Sequence, residues 1–117
     1  MDLLQKLNAP DLLKTGVMIA NKWRANADTF DVTNPASGSL VARVAQSSVQ
    51  DAEQAITSAN AAFPAWAALT GKARAGILRR WYELVVAHAD DLALIMTTEQ
   101  GKPLAEAKAE VIVLRMW

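Results

Sequence analysis

The stretch TTEQGKPLAEAKAE, residues 97–110, decides how the rest of the chain is read. Gly101 stands where a helix closes on a residue of positive φ, a conformation that glycine adopts without a Cβ clash. Pro103 suits the first turn of a new helix, where its missing amide hydrogen is not needed. Glu106 and Glu110 then lie four apart on that new helix. The pattern is one helix stopping and another starting. That accounts for the glycine and the proline, but not for Glu99, Gln100 and Lys102 around them.

Working back from this break, Leu92, Ile95 and Met96 mark a helix that starts near Asp90 or Asp91, whose charges suit a helix N-terminus. Thr70 is the expected N-cap of the helix before it, which carries Ile77, Trp81, Leu84 and Val85 on one face. Further back, Val49, Ala52, Ile56, Ala59 and Phe63 recur at spacings of three and four, an apolar stripe. Ser47 with Gln50, or Ser48 with Asp51, would start that helix through a capping box, and Pro64 is expected to end it.

Ahead of residue 46 the period falls to two. LVARVA (40–45) and TFDVT (29–33) read as strands about the turn NPASG (34–38). In that turn Pro35 fixes φ and Gly38 is free to take φ > 0. VMIANKW (17–23) reads as two short strands folded about Ala20-Asn21, and residues 3–15 as a short helix interrupted by Pro10. The expected order is four strands and then four helices. Strands grouped ahead of helices mean an α+β domain or a piece of something larger, divided into an N-terminal arm (1–16), a β-rich part (17–46) and a helical part (47–117).

Composition narrows function chiefly by exclusion. Hydrophobic residues make up 52% of the 117, which argues against disorder, and twelve Lys and Arg balance twelve Asp and Glu. With no basic run, neither nucleic acid nor an anionic membrane is an expected partner. The opening MDLLQKLNAPDLLKTG has Asp2 and Asp11 and no long apolar core, unlike a secretory signal. A cytoplasmic location is expected. The absence of cysteine excludes disulfides, thiolate metal sites and a cysteine nucleophile within this chain.

The polar candidates each have a plain structural reading. His88, the sole histidine, follows Leu84 by four residues and is expected to pack or cap there. Glu99, Glu106 and Glu110 span the Gly101 break and read as solvated or paired charges, Glu106 having Lys102 and Glu110 four residues to either side. Gly101-Lys102 fails as a phosphate loop, since position 96 is Met and position 103 is Pro. Trp23, Trp66, Trp81 and Trp117 are expected to be buried anchors. No catalytic, cofactor-binding or metal-ligating residue is assigned.

VMIANKW, DVTNPASGSLVARV and the run from AEQAITSANAAFPAW through EQGKPLAEAKAE resemble the N-terminal part of an aldehyde dehydrogenase, over residues 15–110. Within that superfamily the likeness is to the succinate-semialdehyde dehydrogenases of the bacterial, NADP-preferring type. NPASG, AFPAW and EQGKPLAEA carry it by their order and separation.

The resemblance implies an α/β fold class, short strands followed by about four helices, as an incomplete N-terminal segment (1–117) of the cofactor-binding domain, in an oxidoreductase that converts succinate semialdehyde to succinate with NADP or NAD. It also implies that the nucleophilic cysteine, the glutamate base and the dinucleotide strands belong to sequence beyond residue 117. The chain alone is therefore expected to bind no cofactor and to be inactive. In some relatives a structural cation lies near positions matching Thr33 and Gln100; glutamine in place of an acid points to turn capping instead.

After Glu110 the likeness stops at VIVLRMW, as a truncation or change of reading frame would make it. Self-association, or completion by the missing remainder of the enzyme, is the expected fate of the apolar faces. The contrasting reading is a standalone helical interaction module, or an assembly partner of a full-length homologue.

Overall fold

Strands precede helices in the computed structural model, which describes residues 3–113. Two 3-10 turns, Leu3–Lys6 and Pro10–Leu12, replace the single short helix expected at the N-terminus. Strands β1 (Val17–Ile19) and β2 (Lys22–Arg24) pair antiparallel, with Met18 opposite Trp23. Ala20 and Asn21 both take positive φ, 50° and 61°, which matches the right-handed twist of a two-residue hairpin.

Strands β3 (Thr29–Thr33) and β4 (Leu40–Ala45) form a second antiparallel pair, with an irregularity between Val32 and Thr33. Its turn is held by Asn34, whose carbonyl accepts from the Gly38 amide at 2.7 Å and whose side chain accepts from the Ala36 amide at 2.8 Å. Among the described residues each sheet has two strands. Two-stranded pairs are marginal alone. Hydrogen exchange is expected to be fast across residues 17–45 and slower across 72–87; uniform strong protection would contradict this.

Helix α1 (Val49–Ala68) starts at the second of the two expected capping boxes. The Asp51 amide donates to Ser48 Oγ at 3.1 Å, and the Ser48 amide donates to Asp51 Oδ2 at 2.8 Å. Pro64 does not end this helix but lies inside it. Its ring removes one amide donor, and the Asn60 carbonyl left over belongs to an exposed residue that water can satisfy. The helix closes at Leu69, whose amide donates to the Trp66 carbonyl.

Thr70 caps α2 (Gly71–Ala87), and His88 joins it to α3 (Ala89–Gln100). Gly101 ends α3 at φ 76°, and α4 (Leu104–Val113) follows. The Pro103 carbonyl accepts from the Ala107 amide at 3.1 Å, so Pro103 sits at the N-cap, one place earlier than expected.

The core is small and lies between α3 and α4. Ala93 and Ala107 are fully buried with Val111, and Val85, Ala89, Leu92 and Met96 pack around them. Alanine at the contact lets the two helices approach closely. Trp23 and Trp81 are exposed, Trp66 is half-buried within α1, and Trp117 lies outside the described residues. The buried-anchor expectation therefore fails for Trp23 and Trp81. Ile77 and Leu84 are exposed on the same face of α2 as Trp81, whereas Leu92 and Ile95 are half-buried and Val111 is buried. Of VIVL, Leu114 is outside the described residues.

Candidate functional site

The two stretches that the sequence singles out, NPASG and EQGKP, meet in space. A Cβ placed on Gly101 would lie 2.7 Å from Cγ of Pro35, closer than real Cβ atoms approach a ring carbon. Gly101 thus serves two needs at once: a positive φ and room for the Pro35 ring. The contact joins the β3–β4 turn to the α3–α4 turn, 66 positions apart in sequence. Thr33 and Gln100, which the resemblance pairs, flank this contact and are both exposed. Beside it is a shallow depression of about 250 Å³, lined by Lys6, Asn34, Ser37, Ser39 and Thr98 among others.

A second joint ties the N-terminal arm to α3. Asp91, only 4% exposed, accepts from the Asn8 amide at 3.1 Å, from Asn8 Nδ2 at 3.0 Å and from the Ala9 amide at 2.8 Å. The Asn8 backbone amide is the largest cause holding the Asp91 carboxyl below its ordinary value of 3.8, and burial opposes it. Asp91 also lies in the first turn of α3, where negative charge is favoured.

Because the folded carboxyl is depressed, its contribution is present above the ordinary carboxylate range and is lost as pH falls through the lowered value. Asp51, depressed chiefly by the Ser48 backbone amide, acts in the same direction. Asp91→Asn turns an amide donor toward at least one of the three donors that the carboxylate now satisfies. Faster proteolysis or hydrogen exchange of residues 3–13 is expected at neutral pH, and in the parent only on acidification. An arm equally protected in the variant would refute this.

The remaining polar candidates do not converge. His88 bridges two helices through its backbone: its amide donates to the Leu84 carbonyl at 3.1 Å and its carbonyl accepts from the Leu92 amide at 3.0 Å. Lys102 Nζ donates to both carboxylate oxygens of Glu110, at 2.7 and 2.8 Å, rather than pairing with Glu106. Asp90 pairs with Lys108 at 2.8 Å, bracing α3 against α4. Among the described residues no three His, Asp or Glu side chains gather as metal ligands would.

One residue escaped the sequence reading. Asp91 was credited only with the helix terminus, and its tie to Asn8 spans 83 positions.

Strand β4 passes into α1 through Gln46, Ser47 and Ser48, so this strand-to-helix connection has no glycine turn to admit a pyrophosphate. No described helix is long and apolar enough to cross a membrane.

Strand pairs, four helices and the NPASG–EQGKP junction together are those of a known class, and residues 23–116 match the model of the aldehyde dehydrogenase family. The chain belongs to that family. It is 48% identical to the NADP(+) succinate-semialdehyde dehydrogenase of Escherichia coli over 91% of this chain and 22% of that protein. It is 45% identical, over the same shares, to the glutarate-semialdehyde dehydrogenase of Pseudomonas putida. Among solved structures, an aldehyde dehydrogenase from Brucella melitensis superposes with a TM-score of 0.87 at 50% identity, covering 91% of this chain and 22% of that one. The succinate-semialdehyde dehydrogenase of Burkholderia pseudomallei gives 0.86 at 47% identity, covering 90% and 22%. The mixed α/β architecture is thus that of the N-terminal part of these structures, and the chain spans about a fifth of the length of the relatives it matches.

Proposed function

We propose that this chain forms the amino-terminal segment, within the cofactor-binding domain, of an NADP- or NAD-dependent enzyme oxidising succinate semialdehyde to succinate. Its own residues build scaffold: the Gly101–Pro35 contact and the Asp91 clip fix the strands and the arm against α3 and α4. The observation that carries this reading is the match to the E. coli NADP(+) enzyme, 48% identical across 91% of the chain.

Relatives that act on glutarate semialdehyde and 3-sulfolactaldehyde stand close behind, at 45% and 44% identity. All three named substrates pair an aldehyde with an acidic group, and a short anionic aldehyde is the substrate class we assign. A cytoplasmic setting accords with the absence of cysteine and the balanced charge.

The test is a chimera in which residues 23–113 replace the aligned segment of the E. coli enzyme. Semialdehyde-dependent NADPH formation is expected within about tenfold of the parent, a barrier change of ~1.4 kcal/mol. A folded chimera that prefers a neutral aldehyde would overturn the substrate assignment.

A further inference from the structure

The depression beside the Pro35–Gly101 contact has walls from three segments distant in sequence. The 3-10 turn of the arm brings Leu3 and Lys6, the β3–β4 turn brings Asn34, Ser37 and Ser39, and α3 brings Thr98. Among the described residues, Lys6 is the one charged side chain in these walls, with no carboxylate and no guanidinium beside it.

The polar walls hold more donors than they use among themselves. Asn34 uses its backbone inside the turn: its amide donates to the Ser39 carbonyl at 2.9 Å, and its carbonyl accepts from the Ser37 and Gly38 amides. Its Oδ1 accepts from the Ala36 amide at 2.8 Å, which leaves both hydrogens of Nδ2 uncommitted. Ser37 Oγ and Ser39 Oγ lie 2.7 Å apart and share one hydrogen. Whichever hydroxyl donates, the hydrogen of the other is left over. Thr98 differs, because its hydroxyl donates to the Leu94 carbonyl at 2.7 Å. Lys6 is exposed, and no described carboxylate pairs with its ammonium.

A donor-rich concavity with one cation and no fixed negative charge attracts an anion. Ammonium, amide and hydroxyl reach it as separate donors from two pieces of chain. That arrangement matches a group whose oxygens point in several directions, as those of phosphate do. A planar carboxylate is matched best by the arginine fork, which these walls lack. The volume of about 250 Å³ falls just under the ~300–1,000 Å³ of pockets for small organic ligands, so it holds such an ion and little of what carries it.

We propose that Lys6, Asn34 and the Ser37–Ser39 pair bind a phosphate group, carried by inorganic phosphate or by a small phosphomonoester. The site is independent of the dehydrogenase reading and stands or falls without it. Its occupation also acts on the arm. Leu3 and Leu7, each 7% exposed, anchor the chain on either side of Lys6, and Asp91 holds Asn8 and Ala9 just beyond. An anion bridging Lys6 to the β3–β4 turn adds a further tie, so a bound phosphate slows the opening of the arm.

Hydrogen exchange over residues 3–8 and 34–40 of the dilute 117-residue chain, read by mass spectrometry at constant pH and ionic strength, tests this. A ligand that binds only the closed arm reduces opening by 1 + [L]/Kd, so inorganic phosphate at about ten times its Kd is expected to slow exchange about tenfold relative to chloride. Acetate is expected to match chloride. Glycerol phosphate separates the two sources: protection at least equal to that by inorganic phosphate assigns a phosphomonoester, and protection by the inorganic ion alone assigns free phosphate. Lys6→Gln is expected to leave exchange in chloride unchanged and to abolish the protection. Ser37→Ala with Ser39→Ala is expected to weaken binding about fivefold, by removing the free hydroxyl donor. Equal exchange in phosphate and chloride would overturn the proposal. So would equal protection by acetate, or protection that survives Lys6→Gln, which would mark an adventitious ion bound elsewhere.

Discussion

Purified residues 1–117 will form neither NADPH nor NADH from succinate semialdehyde. The covalent route to an acid needs a nucleophile that is both ionised near neutral pH and strongly reactive, the property of a cysteine thiolate. This sequence has no cysteine. Serine or threonine could take that place only beside a positioned base. His88 is the sole imidazole, and it sits at the α2–α3 joint, four residues from Leu92 and beside the Asp91 clip. Hydride transfer adds a second requirement, because nicotinamide must be held at near-contact distance, a placement effect worth about 7–11 kcal/mol. The strand-to-helix connection at residues 46–48 offers no glycine turn for its pyrophosphate. Losing both together removes the route instead of slowing it. The measurement is reduced-nicotinamide absorbance, with protein free of host dehydrogenases. Turnover that copurifies with the chain and disappears on mutating a residue within it would refute the expectation.

What could be read in advance was local. The Ser48–Asp51 box, the Thr70 cap, the Ala20-Asn21 turn and the Gly101 stop each depend on a few neighbouring residues, and each stands where its chemistry puts it. Pro64 misled because a proline rule speaks of one lost hydrogen bond, which a solvent-facing turn of α1 supplies from water. Trp81 misled because large aromatic side chains were assigned to a core, whereas its face of α2 is uncovered in this chain. The Asp91 clip and the Pro35–Gly101 contact were illegible for a different reason. Both join positions more than sixty residues apart, and nothing in a residue's own neighbourhood reports the partner. The family likeness supplied the fold class and the pairing of the motifs, but not the contact that explains them.

That contact makes the second large prediction, a series of glycine substitutions. Gly101→Ala meets two penalties. At φ 76° an L-residue is disfavoured by about 1–2 kcal/mol. The new Cβ would also fall 2.7 Å from Pro35 Cγ, 3.6 Å from its Cβ and 3.9 Å from its Cδ. A proline ring cannot swing aside as a long side chain can, and Pro35 is further held by the Asn34 turn bonds, so backbone must shift on one side or the other. Overpacking of this kind costs about 1–3 kcal/mol, which brings the total to roughly 2–5 kcal/mol. That is a large part of the ~5–15 kcal/mol that stabilises an ordinary domain. The same turn sets the approach of α3 to α4, so the Ala93–Ala107–Val111 core should loosen with it.

Gly38→Ala is the matched control. Its φ is 69°, but nothing lies within 4 Å of the added Cβ, so only the conformational penalty applies. Gly76→Ala, inside α2 with nothing within 4 Å, should stabilise by about 0.5–1 kcal/mol. Thermal unfolding followed by circular dichroism is expected to rank Gly76→Ala above the parent, then Gly38→Ala, then Gly101→Ala. Pro35→Ala placed in the Gly101→Ala background should recover part of the loss, because it removes the ring and leaves φ unchanged. Equal midpoints for Gly38→Ala and Gly101→Ala would show that the two motifs do not press on each other, and the junction would then lose its physical basis.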